Sequence, residues 1–127
     1  MSHDPNRERT KAELAAVKKL NAIAKRLPEV VEARDGFGHT VFKVGKKSIV
    51  ILGDNDGVVD LAINVDRDTQ RFLIAQGGFE RTPYIGQHGW TSHTVTRATD
   101  WEHVAELMRE AYRRVAPKRL AAQLDDE

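Results

Sequence analysis

The stretch FERTPYIGQHGW, residues 79–90, gathers a proline, a tyrosine, a tryptophan and two glycines into twelve positions. Residues 79–83 predict a short strand, 84–89 a glycine-bearing connection, and 90–97 a second strand. Pro83 has no N–H to donate to a ladder, so it marks the end of the first strand or an edge of the sheet. The stretch therefore predicts a β-hairpin with a long loop.

Two aromatic residues flank that loop, and they allow two interpretations. Tyr84 and Trp90, with Arg81 and His88 nearby, can stack on a nucleic-acid base or another flat ligand. They can equally anchor the hairpin to the protein's own core. Neither face of the strand 90–97 is continuously apolar, which indicates an outlying or edge position. We expect Tyr84 to be partly structural and Trp90 to be partly exposed.

Capping boxes begin two amphipathic helices outside this hairpin. Thr10 and Glu13 form the first box, and Pro28 ends the helix that follows. Thr99 and Glu102 form the second box. The predicted buried stripes are Leu14, Val17, Leu20, Ala24 and Leu27 in the first helix and Val104, Leu107, Met108, Ala111, Tyr112 and Val115 in the second.

Three strands and a short helix are predicted between residues 40 and 78. Residues 40–44 and 47–52 flank a two-residue Gly-Lys turn, DNDG at 54–57 predicts the next turn, and 58–65 alternate apolar and polar side chains. Asp66 can cap a helix that ends at the glycine pair 77–78.

The order of these signals, α-β-β-β-α-β-β-α, predicts an α+β domain. Its antiparallel sheet has about five strands and carries helices on one side. Residues 118–124 add a further helical turn or two after Pro117.

Composition limits the classes of protein that this chain can represent. The 127 residues suit one domain, with flexible ends at 1–9 and 125–127. There is no cysteine, no signal-like N-terminus and no apolar run of the roughly 20 residues that span a bilayer, so we expect a cytoplasmic protein away from membranes. The net charge of +1 and pI near 8.1 mean that any DNA binding must come from a local patch.

Signals for catalysis or metal binding are missing from the sequence. The five histidines are scattered, and no HExxH motif, nucleophile elbow, phosphate-binding loop or dinucleotide fingerprint is present. No nucleophile can be paired with a base. We therefore predict a protein that is not an enzyme and needs no metal or cofactor.

Basic and polar residues collect near the two predicted hairpins. They can neutralise phosphates and donate to base edges or sugars. Those at the first turn are Lys43, Lys46 and Lys47, and those around the second are Arg81, Gln87, His88 and Arg97.

The motifs PYIG at 83–86 and GW at 89–90, with FKVGKK at 42–47 and YRRVA at 112–116, resemble the MmcQ/YjbR family of small bacterial proteins. The resemblance runs from about residue 28 to 116. It implies a compact α+β domain of the frataxin-type, CyaY-like fold, with two β-hairpin wings that have been proposed to bind DNA. It implies no catalytic residue and no cofactor.

Two hypotheses for function follow. The first is a non-enzymatic protein that binds double-stranded DNA through two basic wings, using Lys43, Lys46, Lys47, Arg81, Tyr84, Gln87, His88, Trp90 and Arg97. The alternative is a small-molecule or protein-interaction module with a pocket or face around Tyr84, His88 and Trp90.

Overall fold

Helices and strands follow one another in the order α-β-β-β-β-α-β-β-α-α in the computed structural model, which describes residues 8–125. Of the ends that the sequence predicts to be flexible, 1–7 and 126–127 lie outside the described residues. No helix within 8–125 is both long and apolar enough to pass through a bilayer. The helices are α1 Lys11–Ala24, α2 Arg67–Gln76, α3 Trp101–Val115 and α4 Lys118–Asp125; the strands are β1 Val30–Arg34, β2 Thr40–Val44, β3 Lys47–Asn55, β4 Val58–Asn64, β5 Glu80–Arg81 and β6 Trp90–Thr94.

The strands form one six-stranded sheet in the order β1-β2-β3-β4-β6-β5, and each neighbouring pair is antiparallel. Two predicted tight turns join its central strands. Gly45 has the left-handed φ of 61° in the β2–β3 turn. Asp56 and Gly57, with φ of 53° and 87°, join β3 to β4 in the manner of a type I′ turn.

The core lies between one face of this sheet and the helices. Phe42, Leu52 and Leu61 alternate with outward residues along β2, β3 and β4, and each is completely buried. Leu20 of α1 and Met108 of α3 are equally buried in the same cluster. The α+β class and the helices on one side of an antiparallel sheet are therefore confirmed.

The structure adds a sixth strand and shortens two predicted ones. β1 was missed, and it pairs only with β2, at the edge of the sheet. The predicted strand 79–83 is reduced to the two residues of β5. The predicted strand 90–97 ends at Thr94 because Thr99 Oγ1 accepts from the amide of Thr96 and closes a turn there. Residues 118–125 form a complete helix, α4, with Leu120 and Leu124 in the core.

The first capping box is only half formed. Thr10 caps α1 by accepting from the Glu13 amide at 3.1 Å, as predicted. The Glu13 side chain does not return to the cap, because it is buried and accepts from the Thr40 hydroxyl at 3.1 Å while pairing with Arg9. Glu13 therefore occupies the position that the sequence assigns to Leu14, which is 51% exposed.

The second capping box is displaced by one residue. Asp100, not Thr99, caps α3 and accepts from the amides of Glu102 and His103. Thr99 is already engaged by the turn that ends β6. The predicted buried stripe of α3 is otherwise confirmed from Val104 to Tyr112.

Replacing Leu107 by alanine should lower the free energy of unfolding by about 2–5 kcal/mol, since it removes a large side chain that is 5% exposed in the core. The matched control is Leu14→Ala, the same change at an exposed position of α1, which should shift stability by no more than about 0.5 kcal/mol. Urea unfolding measures both. Equal losses in the two variants would show that the core-facing sides of α1 and α3 are wrongly assigned.

Candidate nucleic-acid interface

The structure brings both predicted wings to the same end of the sheet. We define the first wing as the β2–β3 turn, residues 44–47, and the second wing as the β5–β6 loop, residues 82–89. The first wing opens β3, whose early residue Val50 pairs with Ile63 near the end of β4. The second wing opens β6, whose first residue, Trp90, pairs with Asn64 at the end of β4. The shared neighbour β4 therefore sets both wings side by side.

A buried glutamine holds the second wing. Gln70 of α2 is 3% exposed, and its Nε2 donates to the carbonyl oxygens of Gly86 and Trp90, both at 2.9 Å. These two acceptors lie at either end of the 3₁₀ turn that the wing contains. The amide of Thr82 also donates to the Trp90 carbonyl, at 3.1 Å. A single α2 side chain thus fixes the loop to the domain.

A close backbone approach fixes the same loop from the other side. Gly89 has a φ of 99°, and a Cβ at this position would lie 1.9 Å from the carbonyl oxygen of Val65, which begins the β4–α2 connection. Only glycine combines that conformation with that contact. The Thr91 hydroxyl donates to the Gly89 carbonyl at 2.9 Å.

Two adjoining grooves lie between and below the wings. The first, which we name the lysine groove, has a volume of about 490 Å³ and is lined by Val44, Gly45, Lys46, Lys47, Arg114, Val115, Ala116, Pro117 and Lys118. The second, the indole groove, has a volume of about 700 Å³ and is lined by Lys47, Ser48, Ile51, Asn64, Ile85, His88, Trp90, Arg114 and Val115. The grooves share Lys47, Arg114 and Val115, so they form one continuous surface.

This surface is basic throughout. Among the described residues, none that lines either groove is acidic. A third groove, between α1 and α3, has mixed charge instead, with Arg26 and Arg109 beside Glu102 and Glu106. Charge of one sign therefore accumulates at the wing end of the sheet, in a molecule with a net charge of only +1.

Asp66 is an acidic residue whose charge interacts with Arg114, which lines this surface. It caps α2, and the Thr69 amide that donates to its carboxylate holds the pKa of that carboxyl below its ordinary value. The positive charge of Arg114 lowers the pKa of Asp66 as well. Asp66 is therefore ionised at neutral pH and offsets part of the positive potential.

Arg114 ties the second wing to the end of α3. Its Nη2 donates to the His88 carbonyl at 3.3 Å, which holds the guanidinium beside the wing while leaving its charge exposed. Neither Arg114 nor Lys118 is among the site residues predicted from the sequence. The available signal was the pair of arginines just before Pro117, which places cations in the last turn of a helix.

The structure places several predicted site residues together. Lys46, Lys47, His88 and Trp90 line the two grooves. Lys43 lies on the helix-free face of β2, opposite the groove residue Ser48. Gln87 is exposed within the 3₁₀ turn of the second wing.

Tyr84 and Trp90 differ from each other in exposure. Tyr84 is 95% exposed at the tip of the second wing with a φ of 68°, so the expectation that it is partly structural was wrong. The tight loop directs the Tyr84 side chain outward, so its ring is not packed into the core. Trp90 is partly exposed on the helix-free face, as predicted.

Two predicted cations lie away from the grooves. Arg81 belongs to the edge strand β5, and its side chain lies over Gly86, with Nε 3.2 Å from the position of an added Cβ. Arg97 follows β6 at the far end of the sheet, beyond the pairing of Thr94 with Asp60. That end is about 20 Å from the wings, the length of the seven-residue strand β4. Arg81 and Arg97 were predicted as site residues because both lie close to the second hairpin along the chain.

His93 and His39 make hydrogen bonds within the fold. Nδ1 of His93 donates to the Gly78 carbonyl at 2.9 Å, and its Nε2 lies 3.0 Å from the Thr99 hydroxyl. His39 lies 3.0 Å from the Asp35 carboxylate. Across residues 8–125, no group of three or more His, Cys, Asp or Glu side chains is arranged to hold a metal ion.

Comparison with known proteins identifies the family of the chain. A family model described as YjbR matches residues 25–114. The crystal structure of Deinococcus radiodurans protein DR2400, described with the family domain DUF419, has a similar fold, with a TM-score of 0.68 over 86% of this chain and 87% of that chain. The two sequences are 22% identical, so this likeness shows the fold alone. No curated protein matches the chain.

Replacing Gly89 by alanine should destabilise the fold and displace the second wing, because the new Cβ meets the Val65 carbonyl. The matched control is Gly57→Ala: Gly57 also has a left-handed φ, of 87°, but nothing lies within 4 Å of its added Cβ. The control should cost only the conformational strain, about 1–2 kcal/mol. Thermal or urea unfolding measures both variants, and equal losses would mean that the approach to Val65 is not constraining.

Proposed function

The chain belongs to the YjbR family, and we propose that it binds double-stranded DNA through its two wings and the basic surface between them. The observation that carries the proposal is the sign of that surface. Two grooves that share Lys47 and Arg114 meet at the wing end, and every ionisable residue lining them is basic: Lys46, Lys47, His88, Arg114 and Lys118. Polyanions bind such a surface by releasing condensed counterions.

The spacing of the wings suits a duplex. The two hairpins are centred three strand spacings apart in the sheet order, and each spacing is about 4.8 Å. The wings are therefore about 14 Å apart, close to the width of about 12 Å of the major groove of B-DNA. Each wing can reach phosphates on one side of a groove while Arg114 faces the middle.

The exposed residues divide by chemistry. Lys46, Lys47 and Lys118 act on phosphates, which position the protein without reading sequence. Gln87 and His88 on the second wing carry groups that donate to sugars or base edges. Tyr84, at the tip of that wing, is 95% exposed, so its ring is accessible to a ligand. These groups together support the proposed binding of DNA.

A second candidate is a small anionic ligand held in the indole groove. The groove volume of about 700 Å³ favours it, since small-molecule sites measure roughly 300–1,000 Å³. His88 and Trp90 line the groove, as the alternative hypothesis requires, but Tyr84 does not. Duplex binding tests the first candidate directly.

The triple variant Lys46→Ala, Lys47→Ala, Lys118→Ala should bind duplex DNA far more weakly than the wild type, with the slope of log K against log salt reduced by about three units. All three side chains are exposed, so the melting temperature should stay nearly constant. Fluorescence anisotropy at several salt concentrations measures the slope.

The matched control is Lys11→Ala, Lys18→Ala, Lys19→Ala on α1, which gives the same net charge. These lysines are exposed and line neither groove. Lys11 is at the start of α1, which lies beside Asp54 at the end of the sheet opposite the wings. The control should bind nearly as well as the wild type. If both triple variants lose affinity equally, or if the wild type binds no duplex at low salt, the wings are not a DNA surface.

Replacing Asp66 by asparagine should tighten duplex binding by about two- to fivefold at low salt, because it removes the negative charge beside Arg114. Asparagine caps helices as well as aspartate does, so α2 should remain intact. The control Asp56→Asn removes one charge from the distant β3–β4 turn and should leave binding unchanged. Isothermal titration measures both, and unchanged affinity for Asp66→Asn would remove Arg114 from the proposed interface.

The Asp66→Asn substitution should also change how the stability of the fold depends on pH in the acidic range. Because the folded-state pKa of Asp66 is lowered, its carboxylate stabilises the fold above the unfolded value of about 3.9, and this contribution is lost as the pH falls through the folded pKa. Asp66→Asn should therefore show a smaller loss of stability than the wild type over that acidic range.

A further inference from the structure

The indole groove has a shape that the binding of a duplex alone does not use. It is an open groove beside the wings, and its volume of about 700 Å³ is far too small to admit a double helix. It is large enough for one nucleotide. We propose that it receives an unpaired nucleotide from the end of a DNA strand, so that the chain prefers a duplex with a single-stranded overhang to a blunt duplex. This inference rests on the proposed function.

The walls of the groove suit a nucleobase. Trp90 is partly exposed on the helix-free face of the sheet, and Ile51 and Ile85 line the groove with it. An indole with apolar flanks offers a stacking platform that tolerates any base. Within a duplex, each base is already stacked and paired, so only an unpaired base can lie on such a platform.

Polar groups stand where the edge of that base would lie. Asn64 is the cross-strand partner of Trp90 and lines the same groove. Its Nδ2 donates to the Ser48 carbonyl at 3.4 Å. A carboxamide has a second donor and an acceptor oxygen, so Asn64 retains the capacity to pair with a base edge.

Basic side chains lie along the path that the DNA strand would take beyond the indole groove. Lys47 and Arg114 line both grooves, so the phosphate next to a base in the indole groove would lie between them. The following phosphates would enter the lysine groove, where Lys46 and Lys118 add their charges. One continuous surface therefore offers a platform for the base and a track for the backbone, which is the combination that single strands require.

The test compares three DNA ligands with the same duplex: a blunt end, an overhang of three thymidines, and an overhang of three abasic sites. The wild type should bind the thymidine overhang about tenfold more tightly than the blunt duplex, and the abasic overhang should lose most of that gain. Trp101→Phe leaves Trp90 as the single tryptophan, and the fluorescence of this variant should be quenched by the thymidine overhang alone.

Trp90→Leu should abolish the preference for the overhang, so that the ratio of its affinities for the overhang and blunt duplexes falls to about one. The abasic comparison needs no variant, so it decides the question even if Trp90→Leu fails to fold. Equal affinity of the wild type for blunt and overhang duplexes, or for thymidine and abasic overhangs, overturns the inference and leaves the proposed function standing. Thymidine monophosphate that binds as tightly as the overhang also overturns it. Failure to bind any of the DNA ligands overturns both.

Discussion

The backbone of the second wing passes so close to the β4–α2 connection that no side chain fits between them. A Cβ on Gly89 would lie 1.9 Å from the Val65 carbonyl oxygen, while Gln70 donates from the other side to Gly86 and Trp90. These contacts decide where His88 and Trp90 lie. With the loop held there, Arg114 reaches the His88 carbonyl, and the groove between the loop and the first wing has fixed walls.

The distribution of charge determines which part of this fixed geometry can attract a polyanion. The molecule is almost neutral, so it has no general attraction for a polyanion. Its cations and carboxylates are mixed in the groove between α1 and α3, whereas the grooves at the wing end are lined by basic residues without acidic ones among the described residues. Asp66 moderates this potential while it caps α2. The fold thus collects basic residues on one small surface, while positive and negative charges are mixed in the groove between α1 and α3.

Local sequence predicted what depends on local interactions. The Gly45 turn, the Asp56-Gly57 turn and the apolar stripe of α3 all follow from residues within a few positions of one another. Contacts between distant segments explain the errors. Leu14 is exposed because Glu13 finds Thr40 on β2, and β1 was missed because its pairing with β2 gives little periodic signal at an edge.

In the candidate site too, local sequence predicted some residues and tertiary contacts determined the others. Lys46, Lys47, His88 and Trp90 were found from their hairpins, but Arg97 was grouped with them although the register of β6 on β4 carries it to the opposite end of the sheet. Arg114 and Lys118 join the surface only through tertiary packing.

The most direct measurement of the interface is an NMR titration of the labelled protein with a short duplex. Amide shifts should cluster in residues 44–47, 82–90 and 114–118; shifts centred on the β3–β4 turn and residues 95–98, or no shifts at low salt, would contradict it.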